Sequence, residues 1–110
     1  MKNEITPNLE RYKKLIIKSY NDFFNDRSDE VTVEMINKFN DSFSFEVGRV
    51  YIKVVVNRSV HSFIVISEND KKFAYGDILK PAGWSAPARN FKRANIFEPK
   101  SFASVHWTGI

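Results

Sequence analysis

The sequence predicts an α+β domain in which an N-terminal amphipathic helix packs on an antiparallel meander of three to four strands, followed by a short basic helix and an apolar tail. Three observations carry that expectation. Apolar residues recur at three- and four-residue spacing near the start, the period changes to two around residue 43, and two β-branched runs follow with only a short polar break between them. With 110 residues, 43% of them hydrophobic and 15% aromatic, the chain can bury one core, so residues 1–110 are read as a single domain.

Thr6-Pro7 reads as an N-cap with proline at the first helical position, where the missing N–H costs nothing. Leu9, Tyr12, Leu15, Ile16, Tyr20, Phe23 and Phe24 then mark one apolar stripe through Asp26, with Arg11, Lys13, Lys14, Lys18 and Asp22 around the rest of the wheel. That stripe belongs in a core. Arg27-Ser-Asp-Glu30 breaks the pattern, and Val33, Ile36, Phe39 and Phe43 give Val31–Asp41 a helical spacing, although Val31-Thr-Val33 could also open a strand.

From Ser42 the alternation of Phe43, Phe45 and Val47 with Ser44 and Glu46 predicts a strand that turns at Gly48-Arg49. Val50–Val56 and Val60–Ile66 form the arms of a hairpin about Asn57-Arg58-Ser59. Glu68–Lys72 is a polar turn, and Phe73–Lys80 supplies a further strand, interrupted at Gly76-Asp77 and stopped by Pro81. Ser85 reads as an N-cap with Pro87 in the first turn, which predicts a short helix over Ala86–Ala94 bearing Arg89, Lys92 and Arg93. The tail from Asn95 carries Ile96, Phe97, Phe102, Val105 and Trp107 and should lie back on the sheet.

Composition also sets chemistries aside. With no Cys there is no disulfide, thiolate zinc site or cysteine nucleophile, and two His are too few for an all-protein transition-metal site. The longest apolar run is Phe63–Ile66 and the Met-Lys-Asn-Glu start has no apolar region behind it, so neither a membrane span nor a signal peptide is expected. The net charge of +4 is unevenly spread: residues 71–110 hold seven Lys/Arg against two Asp/Glu, whereas residues 1–46 hold seven against nine. A clustered positive field attracts phosphates or an acidic protein face.

The loop from Gly76 to Phe97 gathers the parts of such a surface. Lys80, Arg89, Lys92 and Arg93 offer cations, Trp84 a flat face for stacking, and the helix start near Ala86–Ala88 free N–H groups. The alternative is that Trp84 packs in the interior and the cations are solvated. The element order is topologically similar to that of double-stranded RNA-binding domains, but Ser85–Ala88 carries no charge where those domains place lysines. For catalysis, His61-Ser62 and His106-Trp107-Thr108 resemble the paired His-x-Ser/Thr strands of two-histidine phosphoesterases. In the first pair, however, strand alternation should send the adjacent hydroxyl to the opposite face. Asp70 and Asp77 have no partner at metal-ligating spacing, and no Gly-rich phosphate loop occurs.

Gly76-Asp-Ile-Leu-Lys-Pro-Ala-Gly-Trp-Ser-Ala-Pro-Ala88 and Arg93-Ala-Asn-Ile-Phe97, together with Gly48–Lys53 and Ser59–Phe63, resemble a recurrent family of small tailed-bacteriophage proteins of unassigned function. The resemblance covers about half of the chain and implies a phage origin and expression in the host bacterial cytoplasm; no activity comes with it. The expectation is therefore a non-enzymatic phage module, without cofactor or metal, that contacts DNA or RNA through Lys80, Trp84, Arg89, Lys92 and Arg93. The alternative is a protein-binding module, either a modulator of a host or defence enzyme or a small virion component, that uses the same face on an acidic host or phage protein. A two-histidine phosphoesterase through His61 and His106 is a weaker alternative.

Overall fold

A computed structural model describes residues 5–23, 30–106 and 108–110, with the side chains of residues 23, 30–32 and 104 not included. Helix α1 spans Ile5–Phe23, so Thr6 lies inside it rather than capping it, and Pro7 falls in its first turn. Tyr12, Ile16 and Tyr20, four residues apart, are its buried face. The predicted extension through Phe24 to Asp26 and the break at residues 27–29 lie outside the described residues, as do the Phe23 side chain and Trp107.

A second helix, α2, spans Glu30–Ser42 and resolves the ambiguity over Val31–Asp41 in favour of a helix. Phe39 is buried and Ile36 packs against the core, whereas Val33 faces solvent and Phe43 falls just beyond the helix. The rings of Tyr20 and Phe39 stack with centroids 3.9 Å apart, which fixes one helix against the other and is worth about 1 kcal/mol beyond burial. Ser42 ends α2 by donating its hydroxyl to the Phe39 carbonyl (2.7 Å) while accepting the Asn57 N–H (2.8 Å). The helix end is thereby tied to a hairpin tip far along the chain.

Five strands, not three or four, form an antiparallel sheet in sequence order: β1 (Ser44–Val47), β2 (Tyr51–Val56), β3 (Ser59–Val65), β4 (Asp77–Leu79) and β5 (Ala94–Asn95). A 3-10 turn, Pro99–Ser104, closes the order. Ile52, Val54, Ile64 and Ile78 point to the face covered by α1, α2, Phe102 and Val105. Phe63, Val65 and Leu79 point to the other face, which the connection between β3 and β4 covers with Phe73. The β2–β3 turn is reduced to Asn57-Arg58, both at positive φ (52° and 66°), the pair of left-handed residues a two-residue hairpin requires.

The predicted strand Phe73–Lys80 is formed only over Asp77–Leu79, because Gly76 turns the chain at φ 91° immediately before it. A side chain could not replace that glycine, since its Cβ would come within 2.7 Å of the Phe97 ring. The predicted basic helix over Ala86–Ala94 is absent. Its backbone instead satisfies the free edge of β4: the Ala88 N–H bonds to the Lys80 carbonyl (2.7 Å), the Arg93 N–H to the Ile78 carbonyl (2.8 Å), and Ala94 pairs with Ile78. The local capping signals at Ser85 and Pro87 are outweighed by a strand that needs a partner. Among the described residues, no helix is long and apolar enough to cross a membrane.

Candidate nucleic-acid interface

The small residues between Pro81 and Pro87 build a closed loop. Pro81 and Pro87 bridge across its base, and the N–H groups of Ala82 and Gly83 both point to the Ala86 carbonyl, at 3.0 and 3.2 Å. Trp84 sits at the tip with 54% of its surface exposed and the Lys53 ammonium 4.5 Å from its ring centroid. The indole is therefore on the surface, not in the core.

The predicted cations separate into two groups. Arg89 donates to the Asp70 carboxylate at 2.9 Å and to the Tyr51 hydroxyl at 2.6 Å, and its guanidinium lies 4.9 Å from the centre of Phe73. Asp70 also accepts the Phe73 and Lys72 N–H groups, and these bonds, led by that from Arg89, hold its carboxyl well below the usual carboxylate range. The same pairing raises Arg89 further. Lys92 lies 3.5 Å from the Asp77 carboxylate, itself buried and accepting the Ala74 N–H and the Asn95 amide. Arg89 and Lys92 thus hold the long connection against the sheet.

Lys80 and Arg93 have no carboxylate partner among the described residues. Both line one hollow with Phe91, which is 57% exposed and carries the Arg93 guanidinium 4.4 Å from its ring centroid. Lys80 and Pro81 continue into a second hollow with His61, His106 and Thr108, and Pro81 into a third with Arg58 and Trp84. The three hollows meet at Pro81, and among the described residues no Asp or Glu lines any of them. Arg58 and Phe91 were not singled out from the sequence; an arginine in a hairpin turn that ordinarily takes Asn-Gly is the signal that could have found the first.

The adjacent His61 and Ser62 are not on opposite faces. The β2–β3 register runs Val54 to Ser62 and then Val55 to Val60, leaving His61 as the extra residue of a bulge. Both side chains therefore reach α1: the Tyr12 hydroxyl lies 2.8 Å from Ser62 Oγ, and Ser62 Oγ lies 2.9 Å from His61 Nδ1. At the other end of the ring, Nε2 lies 2.6 Å from the His106 carbonyl. A carbonyl only accepts, so Nε2 carries the proton, Ser62 donates to Nδ1, and Tyr12 donates to Ser62. Burial pushes the Tyr12 phenol up and His61 down, so both are neutral. His61 and His106 do share a hollow, but both ring nitrogens of His61 are engaged within the protein.

No three His, Asp or Glu side chains converge as a metal set would require, among the described residues. Neither a curated protein nor a solved structure matches the chain. A family model described as a family of unknown function, DUF7717, matches residues 1–110, and the chain belongs to that family.

Proposed function

We propose that the protein binds single-stranded nucleic acid along the surface centred on Pro81, with Arg58, Lys80 and Arg93 on phosphates and Trp84 and Phe91 as stacking faces. The observation that carries this reading is the continuity of three hollows, lined by no Asp or Glu among the described residues, with two exposed rings and three cations beside them. Alternating charge and aromatic surface is what an unpaired strand uses, because every base has a face to stack and every linkage a charge to neutralise. Arg58 adds support of another kind. An arginine at φ 66° is strained where glycine would be relaxed, and strain retained in a turn fits a side chain needed at that tip. In this reading Arg89 and Lys92 stabilise the connection and are not contact residues. A tailed-bacteriophage origin and expression in the host cytoplasm belong to the same proposal and rest on the Gly76–Ala88 motif.

Fluorescence anisotropy with single- and double-stranded DNA and RNA tests the proposal. Three phosphate contacts on a single strand give a salt slope of about −2, so affinity falls roughly twentyfold between 50 and 200 mM salt. The K80A/R93A pair should flatten that slope, and W84A should weaken binding without changing it. Absence of affinity for all four at low salt overturns the reading.

A further inference from the structure

The hollow lined by Lys80, Pro81, Ala88, Asn90, Phe91 and Arg93, about 240 Å³ in volume, is the smallest and most enclosed of the three that meet at Pro81. Its two cations stand on backbone that the sheet fixes. Lys80 follows β4 directly and its carbonyl accepts the Ala88 N–H at 2.7 Å, while the Arg93 N–H bonds to the Ile78 carbonyl at 2.8 Å just before β5. The half-buried Arg93 side chain is then held by a ring, with its guanidinium 4.4 Å from the Phe91 centroid. A cation–π contact occupies no hydrogen-bond acceptor, so the N–H donors of the guanidinium fork stay available to a ligand. Among the described residues, no Asp or Glu lines the hollow to take them.

We propose that this hollow takes a guanine of the bound strand, with O6 and N7 on the Arg93 fork, the exposed Phe91 ring beneath the pair, and Lys80 on the adjoining phosphate. The inference rests on the strand-binding reading above and adds to it a preference for one base. Lys80 and Arg93 donate and cannot accept, whereas the Asn90 amide does both and suits any base edge. A wall of donors selects a base edge made of acceptors. Guanine has such an edge in N7 and O6; adenine sets an amine beside N7, and cytosine presents the N4 amine. A fork bound to O6 and N7 is coplanar with the base, so the ring that seats the guanidinium also supports the base edge. The second edge of the guanidinium stays with a phosphate.

Competition anisotropy on the full chain tests the assignment, using short unlabelled thymidine strands whose central base is guanine, adenine or 7-deazaguanine. A single guanine in each strand keeps guanine-rich assemblies out of the measurement. Adenine offers the same two-ring face with a different edge, so the guanine-to-adenine ratio reads the edge alone. The guanine strand should compete about tenfold better than the adenine strand. The 7-deazaguanine strand, which lacks the N7 acceptor, should fall towards the adenine level with the protein unaltered. R93K keeps the charge but loses the fork, and should bring the ratio towards one. Equal competition by the guanine and adenine strands overturns the guanine seat and leaves strand binding standing. A preference that 7-deazaguanine retains overturns the N7 contact, and one that persists in both R93K and R93A overturns Arg93 as the reader. No competition by any strand at low salt overturns both readings.

Discussion

On the helix-covered face of the sheet, Tyr12, Ser62 and His61 pass neutral hydrogen bonds to the His106 carbonyl; on the opposite face, Asp70, Arg89 and Tyr51 form a charged cluster at the rim. Both groups fasten a distant segment to a strand, the first the turn at His106 and the second the β3–β4 and β4–β5 connections. They differ in exposure: Ser62 is fully buried, whereas the Arg89 side chain is 39% exposed, although the Asp70 carboxylate it holds is only 6% exposed. The buried chain has no water to replace a lost partner, while Arg89 and Tyr51 at the rim do. Position, more than charge, therefore sets what each bond is worth.

The largest effect should come from cutting the buried chain. S62A or Y12F should cost about 1–3 kcal/mol in urea denaturation, because each strands a desolvated partner, whereas Y51F at the rim should cost about 0.5–1.5 kcal/mol. Equal losses would erase the distinction between the faces.

The pH dependence separates the two regions next. His61 is depressed below its ordinary 6.5 by burial, so the folded protein disfavours the proton that the unfolded chain accepts. Its contribution is complete above pH 6.5 and is lost as pH falls from there towards the depressed value. Asp70 is also depressed, from 3.8 by Arg89 and two backbone N–H groups, and its contribution is complete above pH 3.8 and lost below it. Stability measured by unfolding from pH 7 to 3 should thus fall in two stages, H61Q flattening the upper one and D70N the lower. A single stage insensitive to H61Q would remove the titrating role given to the buried chain.

The smallest effect belongs to the hairpin tip, which neither network supports. R58G relieves a left-handed residue that carries a Cβ and should gain roughly 0.5 kcal/mol, after the extra freedom of the unfolded chain is subtracted. The same change should weaken strand binding. A gain in stability with unchanged affinity would leave Arg58 out of the interface.

Periodicity and turn chemistry carried much of this fold. Tyr12, Ile16 and Tyr20 occupy the predicted stripe, and Asn57-Arg58 turns where the β-branched runs part. Other features had no local sign. Strand alternation cannot announce a bulge, so Ser62 was expected opposite His61. The Asp70–Arg89 and Asp77–Lys92 pairs join residues 19 and 15 positions apart by number, and only the closure of the β4 edge brings them together. That closure also explains the missing helix over Ala86–Ala94, whose N-cap signals were sound but local. Of the residues expected at the interface, Lys80, Trp84 and Arg93 lie along the Pro81 surface, and Arg89 and Lys92 are spent on carboxylates.

The one extra residue at His61 shifts the phase of everything between it and the hairpin turn. Removing it would restore even alternation and rotate Ser59 and Val60 by half a period, carrying the Arg58 tip away from the Pro81 loop. Length in this strand is therefore as much a determinant of the surface as the identity of any side chain on it, and a single-residue deletion there would rearrange the hollows while leaving every cation in the sequence.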